Sequence, residues 1–447
     1  SLLDETLDAD LAAVTDEIAL ALPESAAAQE KRKPKRQALP AELPRQTFNH
    51  EPESTVCTAA GCGSQMKRIG EDVSEKLDYV PGVFCVHRHV RGKWACACCQ
   101  ALVQVPVEPH VIDKGIPTPG LLAQVLINKF ADHLPLYRQE AIFGRAGVSI
   151  PRSTLAQWVG SCGVELQPLV DALKRDILSR SVLHADETPV QMLKPGKGKT
   201  HRAYLWAYAA GAHEDIKAVV YDFCESRAGA NAKAFLDEWH GSLVVDDFSG
   251  YKQLMGDAQE LITEVGCWAH ARRKFHDLQL ANQSQIAEQA VRQIAQIYAV
   301  EREVKDLNAE DRLRIRQDKS LPLVQTLHDW LMLNRQKVPE GSATAKAIDY
   351  SLRRWKALTR FLQDGQLPVD NNWIENQIRP IAIGRNNWLF AGSLRAGQRA
   401  AAVMSLIQSA KLNGHDPHAY LKDVLTRLPT HMNSRLEELL PHRWTPV

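Results

Sequence analysis

The sequence predicts a multidomain α+β chain, with a cysteine-rich module, a helical region and a mixed sheet interrupted by a long helical insertion. Three observations predict it. Six of the nine cysteines fall between Cys57 and Cys99. Hydrophobic periodicity is helical over 118–165 and changes after Ser181 to the alternation of strands. From Phe275 to Ser320 there is neither Pro nor Gly, so nothing breaks a run of helical composition. With 45% apolar and 24% charged residues, a chain of 447 residues has the material for several domains with cores of their own.

Taken in order, Leu7, Leu11, Val14 and Ile18 recur at helical spacing, so 1–24 reads as an amphipathic helix, either a surface helix or the end of a coiled coil. Residues 25–50 read as a linker: Pro34, Pro40 and Pro44 interrupt it, and EKRKPKR gathers Lys31, Arg32, Lys33, Lys35 and Arg36. The first thirty residues hold no Lys or Arg, so the net charge of +1 conceals a local asymmetry and does not exclude a nucleic-acid partner. The cysteine module spans 51–110, and FCVHRHVRGKWAC within it alternates like a half-exposed strand or hairpin.

A helical region follows over 111–175. There LYRQEAIFGRAGVSIPRSTLAQWVG gives two amphipathic helices about Gly147, with Pro151 at the start of the second. The pattern suits a helix-turn-helix and equally any helical hairpin. SVLHADETPV, HRAYLWAYAA and AVVYDF then read as strands, AKAFLDEWH as a helix, and GSLVVDDFSGY and LITEVGCWAH as two further strands. This predicts a mixed five-stranded sheet with helices packed on it over 176–275. Residues 276–365 form the helical insertion. Residues 366–410 return to the sheet with the helix DNNWIENQIRP, which Pro380 is expected to end, and 411–447 close the chain as a helical segment. No apolar run reaches about 18 residues and no leader is recognisable, so no membrane span and a cytoplasmic location are expected.

An odd number of cysteines, concentrated in one module of a long chain, favours metal over disulfides. VCTAAGCG and ACACCQ supply two pairs, and Cys57, Cys62, Cys96 and Cys99 are the candidate ligands of a closed, structural Zn²⁺ site, with Cys85 or Cys98 as alternatives. The second constellation is acidic. Asp186 is expected to end the strand VLHAD, and Asp246 and Asp247 to end LVVDD. Carboxylates at the ends of neighbouring strands converge on a point that suits Mg²⁺, a hard cation with oxygen ligands. In DNNWIENQIRP, the spacing i, i+4, i+8 puts Asn371, Glu375 and Arg379 on one helix face, while Ile374 and Ile378 point toward a core.

HADETPV, VVDDFSGY, GCWAHARRKF and NNWIENQIRPIAIGRNNWLFAGS, in that order, resemble the DDE transposases of the insertion sequence 66 family. IGEDVSEKL, PLYRQEAIFGRAGVSIPRSTLAQW and AKLNGHDPHAYLKDVL extend the resemblance over nearly the whole chain. It implies an RNase H-like catalytic domain in which Asp186, Asp246 and Glu375 hold Mg²⁺ or Mn²⁺, cut DNA at the ends of an insertion sequence and join the freed ends to target DNA. Asp247 stands where the family has glycine, which leaves the choice between Asp246 and Asp247 open. The family's first cysteine pair is also tighter than Cys57 and Cys62.

The partners implied are double-stranded DNA at the terminal inverted repeats and target, a second copy in a homodimer, and small accessory proteins of the same element. The candidate DNA contacts are Lys31, Arg32, Lys33, Lys35, Arg36, Arg152, His270, Arg272, Arg273, Arg379 and Arg385, with Asn371 also turned toward phosphate. Trp388 and Phe390 are expected in the core, and His184 in the floor of the site without being a ligand. The alternative readings are an RNase H-like nuclease that cuts without joining, and an inactive zinc-containing DNA-binding regulator.

Overall fold

The computed structural model describes residues 84, 94–95, 102–103, 109–112, 115–194, 200–252, 262–282 and 284–446. The amphipathic helix, the basic linker with Lys31, Arg32, Lys33, Lys35 and Arg36, and the ligand candidates Cys57, Cys62, Cys96 and Cys99 lie outside the described residues. Of the cysteine module, the antiparallel pair β1 (Trp94–Ala95) and β2 (Leu102–Val103) is described.

Four helices come next: α1 (Pro119–Phe130), α2 (Leu136–Arg145), α3 (Arg152–Glu165) and α4 (Gln167–Ile177). Thr118 starts α1 by accepting a hydrogen bond from the amide of Leu121 at 3.3 Å. Between α2 and α3 the chain reverses at Gly147, whose φ of +86° is open to glycine at little cost. Phe143, Leu155, Trp158 and Val159 bury the inner faces of this pair.

The sheet comprises β3 (Val182–Leu193), β4 (Thr200–Ala210), β5 (Val219–Cys224), β6 (Gly241–Val245) and β7 (Ile262–Gly266). Helix α5 (Gly229–Leu236) crosses between β5 and β6, and α6 (Ser249–Lys252) follows β6. The spatial order is β5-β4-β3-β6-β7. Strand β4 runs antiparallel to both β3 and β5, while β6 and β7 run parallel to β3. The three strands, helix and two strands read from the alternation are all present.

One expectation fails: Asp186 does not end its strand. It is the fifth of twelve residues in β3, which continues to Leu193 because β4 pairs with it along its whole length. What ends near Asp186 is the other partnership, since β6 pairs with β3 only from Val182 to His184.

Strand alternation separates two packings. Leu183, Ala185, Leu243 and Val245 face the larger core, shared with α1 to α4. Val182, Val244 and Val265 on the opposite face join a second core formed by the insertion. That insertion comprises α7 (Trp268–Asn282), α8 (Gln285–Val304), α9 (Ala309–Ile315), a π-helical turn (Arg316–Ser320), α10 (Leu321–Arg335), α11 (Ala343–Arg353) and α12 (Trp355–Leu358).

Helices α13 (Asn372–Trp388), α14 (Leu394–Leu412) and α15 (Pro417–Arg427) complete the chain. α14 covers the free edge of the sheet in a specific way. Ser405 Oγ accepts from the amide of Tyr221 at 2.8 Å, and Ser409 Oγ accepts from the amide of Val219 while donating to its carbonyl, both at 3.0 Å. Two serines one helical turn apart thus satisfy backbone groups that an edge strand leaves unpaired.

Pro380 does not end its helix. α13 runs through it to Trp388 and stops where Leu389 turns to a φ of +62°. Proline removes the donor for the Asn376 carbonyl, but Asn376 and Pro380 are both exposed, so this turn of the helix lies on the solvent side. Burial of Ile374, Gln377, Ile378, Ile381 and Gly384 on the other side holds the helix together. Trp388 packs partly buried against the core as expected, whereas Phe390 is exposed.

Candidate functional site

By register, Asp186 lies opposite Ala207 of β4, which lies opposite Tyr221 of β5, so all three share one sheet face. Tyr221 donates its hydroxyl to the Gln377 carbonyl at 2.7 Å, which lays α13 across that face. The insertion core occupies the rest of the same face through Val182, Val244 and Val265. Asp186 therefore sits where α13 and the insertion meet. Asp246 directly follows the last residue of β6, and Glu375 is in the first turn of α13.

Asp186 lies within electrostatic reach of both other carboxylates. Asp186 is pushed well above the ordinary carboxylate range, first by burial, then by the negative charges of Glu187, Glu375 and Asp246. Among the described residues, its Oδ1 accepts only the amide of the next residue, Glu187, at 2.8 Å. Asp247 turns elsewhere: burial alone would raise its pKa, but hydrogen bonds from Lys252 and Arg354 outweigh it and hold the carboxyl low. Of the two candidates at the end of β6, Asp246 is thus the one whose charge reaches Asp186.

A fourth carboxylate, Glu187, was not singled out in the sequence. Its side chain is 1% exposed and is held by Arg227 Nε at 2.6 Å and the Tyr251 hydroxyl at 2.8 Å. Burial raises its pKa, and these two partners oppose the rise. Arg227 stacks on Phe248 at 3.8 Å from the ring centre, so the acid next to Asp186 is fixed as an ion pair.

Asn371 corrects another expectation. It does not face outward with Glu375; it is 1% exposed and caps α13 from within the core. Its Oδ1 accepts from His184 Nδ1 at 2.7 Å, its Nδ2 donates to the Ala185 carbonyl at 3.0 Å, and its backbone amide donates to Cys267 Sγ at 3.2 Å. These bonds lock the start of the Glu375 helix to β3 immediately before Asp186. Burial lowers the His184 pKa to about 4, so the imidazole is neutral and donates from Nδ1, consistent with a floor residue.

Arg385 is likewise engaged, donating to Thr188 Oγ1 at 2.9 Å and to the Pro189 carbonyl at 2.5 Å, so it braces α13 against β3. Arg379 is half-buried on α13, and no side-chain hydrogen bond or ion pair is found for it among the described residues. Arg152 is exposed at the start of α3, with its backbone amide bonded to Glu140 at 3.0 Å. His270, Arg272 and Arg273 fall on the first turns of α7, and His270 Nδ1 lies 3.7 Å from Glu375 Oε1. Cys267 stands just before α7 and is fully buried. Its thiol is pushed well above its usual pKa, mainly by burial. Cys267, His270 and Glu375 form the one trio of His, Cys or acidic donor atoms within 4.8 Å of one another among the described residues. No helix among them is long and apolar enough to cross a membrane.

Comparison with known proteins places this geometry. The Transposase IS66 family matches residues 114–399, the IS66 C-terminal element 405–442, and the zinc-finger binding domain of transposase IS66 residues 55–100. The last match makes the cysteine module a zinc-finger domain. The chain is 39% identical over 417 residues to the uncharacterized protein y4jD of Sinorhizobium fredii, covering 91% of this chain and 81% of that one. The uncharacterized protein y4qI of the same organism is 40% identical over 396 residues, covering 86% and 73%. With the helical region, the sheet and the insertion all inside one family match, and the cysteine module and C-terminal helices inside two more, the chain belongs to the IS66 family of transposases.

Proposed function

We propose that the chain cuts DNA at the ends of an insertion sequence and joins the freed strands to target DNA, using Asp186, Asp246 and Glu375 as a DDE triad. The observation that carries this is the placement of Asp186 within β3, Asp246 directly after β6 and Glu375 in the first turn of α13, with the charges of the latter two reaching Asp186. Surface acids have no reason to be gathered at such a cost. The sheet order, with three antiparallel strands followed by two parallel ones, supports the RNase H-like reading of the domain.

The donor set fits Mg²⁺ or Mn²⁺. It is all oxygen, it concentrates negative charge, and Glu375 Oε1 is buried without a hydrogen-bond partner. Bound there, two such ions would supply Lewis-acid activation of the attacking oxygen and stabilisation of the leaving one. The protein itself fixes position: Asn371 and Arg385 hold α13 to β3, and Arg227 keeps Glu187 from competing for the site. Hydrolysis at the element end frees a 3′ hydroxyl, which attacks a target phosphodiester in line with no covalent protein intermediate.

Double-stranded DNA is bound through the zinc-finger domain, the basic linker, Arg152, Arg272, Arg273 and Arg379, with affinity falling as salt rises. Cys57, Cys62, Cys96 and Cys99 hold the structural Zn²⁺. A homodimer bridges two ends, with small accessory proteins as further partners.

Asp186→Asn, Asp246→Asn and Glu375→Gln are each expected to lower Mg²⁺-dependent cleavage and strand transfer by at least about a thousandfold, with binding to element-end DNA retained. Full cleavage by Glu375→Gln would remove that residue from the triad. Cut products without joined ones, from paired 3′ ends, would identify a nuclease instead.

A further inference from the structure

We propose that Cys267, His270 and Glu375 form a second metal site, for one thiophilic ion such as Zn²⁺, and that filling it withdraws Glu375 from Asp186 and Asp246. The first half stands on the geometry alone; the second rests on the proposed function.

The chain brings the three donors together from separate elements. Cys267 stands between the end of β7 and the start of α7, His270 follows three residues later in the first turn of α7, and Glu375 enters from α13. Their donor atoms all lie within 4.8 Å of one another. Two of them, His270 Nδ1 and Glu375 Oε1, are buried without hydrogen-bond partners although they face each other. Their separation of 3.7 Å is too long for a hydrogen bond. It is close to the edge of a zinc tetrahedron, which zinc bonds of 2.0–2.2 Å to nitrogen and oxygen put at about 3.4 Å. Two buried polar atoms left unmatched are each destabilising, and one ion between them would satisfy both.

The donor types select the metal. A thiolate and an imidazole favour Zn²⁺ over the hard Mg²⁺, and three protein ligands leave one position for water or a phosphate oxygen. On binding, the Cys267 thiol releases its proton to solvent, forming a sulfur–metal bond with no change of oxidation state. The site is preorganised on its sulfur side, where the Asn371 amide already donates to Sγ at 3.2 Å. Glu375 is the member common to both sites. With Oε1 committed to the soft ion beside His270, its carboxylate is drawn toward α7 and away from the strand carboxylates, so Zn²⁺ acts as an inhibitor of a Mg²⁺-dependent enzyme.

Two readouts on the full chain test this separately. In the first, Co²⁺ is the probe, and bound equivalents are counted with thiolate-to-cobalt absorption as the signature. Cys267→Ser and His270→Ala are each expected to bind one equivalent fewer than the wild type, with the signal of the N-terminal cysteine module unchanged. Equal uptake by the wild type and a folded variant overturns the site. If Cys267→Ser fails to fold, the half-exposed His270 carries the test, its folding checked by circular dichroism.

In the second, Zn²⁺ is titrated into cleavage reactions at fixed Mg²⁺, each variant normalised to its own zinc-free rate. The half-inhibitory Zn²⁺ concentration is expected to rise at least about tenfold in His270→Ala. An unchanged value overturns the withdrawal of Glu375 and leaves the metal count standing. Failure of the triad itself would show differently, as Glu375→Gln retaining Mg²⁺-dependent cleavage.

Discussion

Asp186 holds its proton more tightly in the folded chain than in the unfolded one, because burial and three neighbouring carboxylates penalise its charge. The native state then binds more protons than the unfolded state, so stability falls as pH rises through and above the ordinary aspartate range. Asp186→Asn removes that penalty while keeping the oxygen that accepts from the Glu187 amide. The variant is expected to be more stable than the wild type at neutral pH by about 1–3 kcal/mol, a gain that vanishes below the ordinary value of 3.8, where both chains carry a neutral group. Urea melts at both pH values check this, and added Mg²⁺ should narrow the difference. At this scale the sequence was partly legible. Alternation puts Asp186 on the face of Val182 and His184, and HADE marks it as unusual. Nothing in DNNWIE distinguishes Asn371, which is buried, from Asn372, its half-exposed neighbour, because the difference is made by His184, Ala185 and Cys267, each more than a hundred residues away.

Helix α13 was read correctly in its apolar face, with Ile374 and Ile378 buried at 0% and 6% exposure, and wrongly in its length. Proline ends helices when the freed carbonyl is buried or the far side has nothing to pack against, and neither holds here. The second half of α13 is fixed instead by His133, which follows α1 at a φ of +53°. Its ring accepts from Trp388 Nε1 at 3.4 Å. Gly384 permits this approach, since a Cβ there would overlap the His133 ring. Alanine is the better helix former by about 1 kcal/mol, yet Gly384→Ala is expected to destabilise by about 1–3 kcal/mol through overpacking. Denaturant melts of Gly384→Ala, His133→Ala and the double variant give the check, because removing the ring should abolish the cost of the methyl. The same contact ties the N-terminal helices to the helix that carries Glu375.

Across the whole molecule, the insertion sets where α13 begins. Arg316 is fully buried in the π-helical turn, paired with Glu301 at 2.6 Å and donating to the carbonyls of Phe361, Asp364 and Leu367 at 3.0, 3.3 and 2.9 Å. Those carbonyls belong to the segment that leads into Asn371 and Glu375. Arg316→Met leaves Glu301 without its partner and takes the guanidinium donor from the Phe361 and Leu367 carbonyls, while Asp364 keeps the Leu367 amide, and is expected to cost about 3–5 kcal/mol. Hydrogen exchange should locate the loss in 361–370 and the insertion while β3 and β4 keep their protection; uniform loss would mean that the insertion and sheet unfold as one unit. The sequence by itself determined the element order, the strand alternation, the cysteine module and the acids worth watching, because periodicity and residue chemistry are local properties. The tertiary structure decided which acids' charges reach Asp186, that Asn371 and Arg385 hold the helix, and that Cys267 and His270 stand beside Glu375. Those outcomes depend on strand register and helix packing between distant segments, and no local pattern encodes a distance across the fold.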